Sequence, residues 1–328
     1  MYILGVDQGS TKTIAIVADR NGAILGKGQS YGACHFFDGL PMAMGAVEAA
    51  AHLALVQAEI GLTELDCVSG GLAGANFPEE FRALEAGLRG LFQVEKVKVY
   101  NDCLPAMRAG TDNPWCGVIC AGTGLNAALS GPEGLLTVYN NYIDDLDQGA
   151  GALGRRTLEA IFLSEIGYYP PTMLTQKVLE IFKLDCVDRL LLAYQGRQLT
   201  TPLKEICPTL FETAKLDDQV ALGVIAGFGR SVSRYIVAGI QKYRLQEKEM
   251  DLVLAGGVFK ARSNLLFETI ETEIRRAAQK AQVFYAAFEP VVGAILFALD
   301  ELYGRPLPEA VMANCRESAG KYGLTGMQ

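Results

Sequence analysis

The polarity pattern opens with short apolar runs separated by tight polar turns. Runs at 2–7, 13–18 and 23–29 predict three strands, joined by Gln8-Gly9-Ser10-Thr11-Lys12 and Asp19-Arg20-Asn21-Gly22. Further strand runs at 66–71 and 96–100 alternate with helix-period patterns at about 41–60, 78–92 and 102–109. An antiparallel three-stranded start followed by alternating helices and strands is an α/β pattern with a mixed sheet. Three more strand runs follow at about 116–121, 125–130 and 135–139. A helical stretch from about 149 to 244 is broken at Tyr169-Pro170-Pro171, Thr200-Thr201-Pro202 and Cys207-Pro208. The strand Asp251 to Val258 stops at Gly256-Gly257. A helix at about 262–279, a strand at 281–286, and helices at about 290–303 and 307–319 complete the chain.

The second group of three strands repeats the first. Slid by 112 positions, Gly5 meets Gly117, Thr11 meets Thr123 and Gly22 meets Gly134. Both copies run strand, Gly/Thr turn, strand, small turn (Asp19 to Gly22; Ser130-Gly131-Pro132-Glu133-Gly134), strand. Such self-similarity marks an internal duplication. Two Gly/Thr turns facing each other could hold phosphates from both sides.

Composition narrows the partners. A length of 328 residues suggests two domains, and a half-apolar chain gives each a core. The net charge of −8 without a basic run argues against nucleic acid and anionic membranes. No apolar run approaches the length of a membrane span, and a strand begins within two residues of Met1, leaving no room for a signal peptide. The cysteines (Cys34, Cys67, Cys103, Cys116, Cys120, Cys186, Cys207 and Cys315) lack C-x-x-C spacing and read as thiols of a reducing cytoplasm. With His35 and His52 the only histidines, zinc and histidine-triad chemistry are not expected.

Four segments could carry chemistry. Asp7 ends a strand before Gly9-Ser10-Thr11-Lys12-Thr13, so it is either a turn residue or a Mg²⁺ ligand beside a phosphate cradle. The turn is not a P-loop, since no G-x-x-x-x-G-K-[ST] occurs. Asn101-Asp102 follow one strand and open a helix. There Asp102 is either a helix cap or a base for an attacking hydroxyl. Gly256-Gly257 after a buried strand would let adenine or ribose approach the backbone, or simply make a turn. In the acidic loop Asp144 to Gly149, Asp147 could accept from sugar hydroxyls or enrich a helix start in acid.

The order of these pieces resembles the actin/Hsp70/sugar-kinase superfamily. Gly5 to Thr13 is similar to its first phosphate loop, Ala121-Gly122-Thr123-Gly124 to its second, and Ala255-Gly256-Gly257-Val258 to its adenosine loop. Within it, Gly71-Leu72-Ala73-Gly74-Ala75, Asn101-Asp102 and Asp147-Gln148-Gly149 resemble motifs of the BadF/BadG/BcrA/BcrD-type ATPase family, which includes N-acetylglucosamine kinases. The resemblance implies two actin-like (ribonuclease H-like) α/β domains, each with a mixed five-stranded sheet, around a nucleotide cleft. Residues 1–115 plus 305–328 would form one domain. Residues 116–304, with the helical insertion at about 149–244, would form the other.

It further implies an ATP-dependent kinase acting on an amino sugar or related hexose. Gly9, Ser10, Thr11, Thr13, Gly122, Thr123, Gly124, Gly256 and Gly257 would bind ATP, and Asp7 would hold Mg²⁺. Asp102 would be the base, with Gly74, Ala75, Asn101 and Asp147 at the sugar. Homodimerisation is a family-level expectation. The sugar region departs from the pattern: Tyr31-Gly32-Ala33-Cys34 stands where a G-P-x-N turn is usual, and Asn140-Asn141-Tyr142 where G-W-G is usual. Cys120 is similar to a cluster cysteine of a branch that activates 2-hydroxyacyl-CoA dehydratases, which leaves such an ATPase, or a nucleotide-switched binding protein, as alternatives.

Overall fold

The computed structural model describes residues 1–131, 134 and 136–326. Pro132 and Glu133 of the second small turn, Leu135 of the expected strand at 135–139, and the final two residues of the 305–328 segment lie outside them.

The first sheet is built from β1 (Tyr2–Gln8), β2 (Lys12–Asp19), β3 (Ile24–Tyr31), β4 (Leu65–Leu72) and β5 (Lys96–Asn101). Between these strands lie α1 (His35–Asp38), α2 (Leu40–Ala58) and α3 (Pro78–Phe92), and α4 (Cys103–Arg108) leaves the sheet after β5. The second sheet holds β6 (Cys116–Ala121), β7 (Leu125–Ser130) and β8 (Leu136–Val138). The helical insertion follows as α5 (Gly149–Glu165), α6 (Leu174–Phe182), α7 (Val187–Gln195), α8 (Cys207–Ala214) and α9 (Gln219–Tyr243). The chain closes with β9 (Asp251–Ala255), α10 (Asn264–Ala277), β10 (Gln282–Tyr285), α11 (Pro290–Tyr303) and α12 (Glu309–Lys321).

The duplication is visible in the topology. The strand orders are β3-β2-β1-β4-β5 and β8-β7-β6-β9-β10. In each sheet the first three strands pair antiparallel and the last two join parallel. Gly22 and Gly134, matched by the shift of 112, both have φ between 75° and 84°. Both sheets bring the carboxyl ends of their parallel strands to the same cleft, where ligands of open α/β sheets gather.

Each sheet is covered on both faces. Helices α2 and α3 bury Ala46, Val47, Ala50, Leu84 and Leu88 against one face of the first sheet. Val291, Ile295, Leu299 and Val311 of α11 and α12 cover its other face. Full burial of one such branched side chain stabilises by about 1.5–3 kcal/mol. Two helices, α2 and α9, are long and apolar enough by composition to cross a membrane. That differs from the expectation drawn from consecutive apolar runs. Both pack in the fold, α2 on β2 and β3 and α9 on α5 and α10.

Two helices pack across the expected domain boundary. Helix α11 was placed with the second domain but packs on β1 and β4 of the first sheet. Helix α4 was placed with the first domain, yet its Leu104 and Met107 join Val118, Ala128 and Val253 of the second sheet. The helices cross at Gly293, where a Cβ would overlap the Pro105 carbonyl oxygen, so each reaches over the lobe boundary. Arg108 of α4 and Asp300 of α11 lock the crossing with two hydrogen bonds of 2.8 Å.

Candidate active site

A cleft of about 1090 Å³ runs between the sheets. The loop Gly9–Thr11 after β1 and the loop Gly122–Gly124 after β6 face each other across it. Thr11 Oγ1 lies 3.2 Å from Thr123 Oγ1, and these are the two threonines matched by the repeat. Gly9 N–H donates to the Lys12 carbonyl (3.0 Å) and Gly122 N–H to the Gly124 carbonyl (2.9 Å), which holds both turns in shape. The N–H groups of Ser10, Thr11, Thr123 and Gly124 make no backbone hydrogen bond among the described residues. The first turn of α5 abuts the second loop, Ala150 N–H donating to the Gly122 carbonyl at 2.9 Å. The positive dipole end of α5 therefore lies beside the second loop.

At one end of the cleft, Cys207, Pro208 and Phe211 of α8 oppose Val258 and Ala261, forming an apolar slot beside Gly256-Gly257. Gly256 has φ of 102°, and a Cβ there would overlap the Ala121 carbonyl. A Cβ on Gly257 would meet open space, so a flat ligand can approach the backbone.

Two carboxylates stand on the floor. Asp7 is half-buried, and burial followed by the nearby Asp102 charge pushes its pKa to about 7; Lys12 pulls the other way. Burial also raises Asp102, offset in part by the Asn126 amide and neighbouring backbone N–H groups. The Asp102 side chain does not cap α4. Asn101 does so instead, its Oδ1 accepting from Cys103 N–H at 3.2 Å. The side-chain cap of α4 is thus Asn101, and Asp102 lines the cleft.

A chain of amides fixes Asp102. Asn101 Nδ2 donates to the Ala75 carbonyl (3.1 Å) and to Asn76 Oδ1 (2.9 Å). Asn101 Oδ1 must then accept, so Asn126 presents its Nδ2 to it at 2.8 Å and to Asp102 Oδ1 at 2.9 Å. Asn126 Oδ1 is left buried without a partner among the described residues. Asn140 Nδ2 reaches Asn76 Oδ1 at 3.4 Å, tying the second lobe to the first.

Of the residues singled out in the sequence, Asp7, Gly9, Ser10, Thr11, Gly74, Asp102, Gly122, Thr123, Gly124, Gly256 and Gly257 line this cleft. Four do not. Thr13 is fully buried and its hydroxyl donates to the Tyr31 carbonyl at 2.9 Å, so it serves the β2–β3 pairing. Ala75 is fully buried and offers only its carbonyl to Asn101, which itself lies beneath Asp102 rather than at the cleft surface. Asp147 is 2% exposed. Arg156 (2.6 Å) and the Tyr235 hydroxyl (3.0 Å) take its two oxygens in a separate pocket of about 440 Å³.

Asn76, Glu80, Asn126, Asn140 and Asn141 line the cleft and were not singled out as contacts. Asn126 had a visible signal, being a polar residue in the buried strand Leu125-Asn126-Ala127-Ala128-Leu129. Glu80 had none, since Phe77, three residues before it, has no side-chain acceptor to complete a capping box.

No family model matches the chain. It is 24% identical over 311 residues to N-acetyl-D-glucosamine kinase of Dictyostelium discoideum, a match covering 90% of this chain and 97% of that protein. Its fold is similar to that of a provisionally assigned N-acetylglucosamine kinase from Chromobacterium violaceum, with a TM-score of 0.69, 18% identity and coverage of 90% and 98%. A ROK family glucokinase from Streptomyces griseus, solved with glucose and AMPPNP, matches with a TM-score of 0.59, 18% identity and coverage of 90% and 99%. The chain thus has the two-lobed, actin-like fold that sugar kinases share, with matched sheets on either side of one cleft.

Proposed function

We propose that this protein is an ATP-dependent kinase that phosphorylates a hydroxyl of a small sugar, N-acetylglucosamine or a related hexose. The observation that carries the reading is the pair of Gly/Thr loops meeting at Thr11 and Thr123, with Asp102 beside them. The relative from Dictyostelium discoideum supports the substrate class.

In this reading adenine lies in the slot between α8 and Gly256-Gly257. The phosphates meet the free N–H groups and hydroxyls of Ser10, Thr11 and Thr123, with the first turn of α5 behind them. Asp7 fits a divalent cation, because a desolvated carboxylate with a second acid nearby is stabilised by added positive charge. Mg²⁺ held there would neutralise charge on the transferred phosphoryl group. The acceptor sits at the opposite end, near Asn76 and Asn140.

Asp102 does the proton transfer. Asn126 holds Oδ1, which leaves Oδ2 to accept the proton of the attacking hydroxyl. The sugar oxygen then bonds to the γ-phosphorus as the bond to the β-phosphate oxygen breaks and ADP leaves. A base raised by burial is better matched to neutral pH than an ordinary carboxylate. Closure of the lobes about the α4–α11 crossing would exclude water and limit hydrolysis. The free thiols fit work in a reducing cytoplasm.

The test is ADP release from Mg-ATP with a panel of hexoses, amino sugars and N-acetylated sugars. Release stimulated by one of them establishes the kinase. Release indifferent to every sugar would move the assignment to an acceptor-independent ATPase.

A further inference from the structure

Glu80 occupies the first turn of α3, facing the acceptor end of the cleft. Its Oε2 accepts the backbone N–H groups of Asn76 and Phe77, both at 2.8 Å. That fixes the carboxylate without satisfying it. Oε1 makes no hydrogen bond among the described residues, and His35 Nε2 lies 3.9 Å away, outside hydrogen-bond range. The Glu80 side chain is only 18% exposed. The second oxygen is held in place at the cleft wall with water as its partner, and it is open to accept a donor from a ligand.

A short path joins Glu80 to the reacting end. Asn76 donates its N–H to Glu80 and accepts from Asn101, the residue before Asp102. Phe36, Phe37 and Phe77 border the same end and are 54% to 82% exposed, offering flat apolar faces to a sugar ring. The lysines that line the cleft stand elsewhere. Lys12 belongs to the first loop, while Lys204 and Lys260 flank α8 and Gly257. No arginine is among the lining residues described.

We propose that Glu80 is the acceptor-orienting carboxylate, its Oε1 accepting hydroxyl or amino donors of the sugar. This rests on the kinase reading for the kind of ligand. The acceptor is therefore a neutral or amine-bearing hexose, and sugars carrying their own carboxylate are rejected at this wall. Glu80 takes the place that the sequence assigned to Asp147, which is spent on Arg156 and Tyr235.

The experiment is calorimetric titration of glucose, glucosamine, N-acetylglucosamine and glucuronate into the Mg-ADP complex, alongside acceptor-stimulated ADP release. Glu80→Gln is the informative variant. Its side-chain oxygen can still accept from Asn76 and Phe77, while its NH₂ turns the cleft-facing acceptor into a donor. The preferred sugar should bind Glu80→Gln about 10–100-fold more weakly, the range of a lost hydrogen bond to a charged group, with Mg-ADP affinity unchanged. Wild type should bind glucuronate at least about tenfold more weakly than glucose, and the variant should narrow that gap.

Unchanged sugar affinity in Glu80→Gln overturns the proposal. So does wild-type binding of glucuronate as tight as that of glucose, which needs no variant to fold, and so does failure of every sugar to bind. Sugar binding that the variant weakens, without ADP release by wild type, would sink the kinase reading and leave Glu80 standing. ADP release with sugar affinity untouched in the variant would do the reverse.

Discussion

Replacing Asp7 by Asn should make the empty protein more stable, and only at higher pH. Asp7 titrates near 7 in the folded chain against an ordinary value of 3.8. Between those values the folded state holds a proton that the unfolded state has lost. Stability therefore falls as pH rises from about 3.8 to about 7 and levels off above it. A difference of about three pKa units corresponds to a ceiling of about 4 kcal/mol. Water in the open cleft relaxes part of this, so a gain of about 2 kcal/mol for Asp7→Asn is the working expectation. The substitution keeps shape and leaves the backbone pairing of Asp7 with Ile14 and Gly71 untouched.

The assay is urea unfolding of both proteins at pH 3 and pH 8, without nucleotide and with a chelator present. The midpoint difference should be small at pH 3, below the ordinary value of 3.8, and favour Asn at pH 8. If Asp7 holds the cation as proposed, the same variant should also lose most of the stabilisation that Mg-ADP gives wild type. An Asn protein no more stable than wild type at pH 8, or equally stabilised at both pH values, would refute the reasoning.

Other expectations follow from the same geometry. Asp102→Asn should lower kcat by roughly 10²–10⁴ with nucleotide affinity nearly intact, read by steady-state kinetics and calorimetry. Wild-type turnover in that variant would remove Asp102 from the base role. The acid limb of the pH–kcat/KM profile should lie above the usual carboxylate range, because burial raises Asp102 and its protonated form cannot take the hydroxyl proton. Asp147→Asn should leave the acceptor KM unchanged while costing about 1.5–3 kcal/mol of stability through the loss of its Arg156 pairing; a large KM increase would return Asp147 to the sugar site. Gly293→Ala should destabilise by at least about 3 kcal/mol, seen as a fall in Tm, because its methyl group has only the Pro105 carbonyl to occupy.

What was legible in the sequence was local. Gly9 to Thr11 and Gly122 to Thr123 show themselves as turns between strand runs, and a turn's backbone chemistry travels with its residues. Asp7 and Asp102 sit at strand ends, which sheet topology alone brings to the cleft. Side-chain partners far along the chain were not legible. Asp147 meets Tyr235 across 88 positions of helical insertion, and no local pattern announces that hydroxyl. Thr13 looked like a further loop hydroxyl but turns inward to the end of β3. Helix α11 follows β10 in sequence yet belongs to the first sheet, because the chain crosses back over α4. Glu80 was one residue of the expected helix at 78–92 with nothing to single it out, and only the folded cleft shows that one of its oxygens makes no hydrogen bond.

A clamp made of two like halves has no inherent direction, and phosphoryl transfer needs one. The shift that matches Thr11 with Thr123 sets Asp7 against Ile119 and Lys12 against Gly124. Asp102, ahead of α4, corresponds in topology to Glu289 ahead of α11, and Glu289 is tied to Lys260 at 3.2 Å. The two Gly/Thr loops are alike while the acids around them differ. In the kinase reading one side would hold a cation and receive a proton, and the other side's acid is paired with Lys260. That asymmetry would give the cleft a donor end and an acceptor end. Copying Asp7 into position 119 would hand the second half a charge the reaction has no use for.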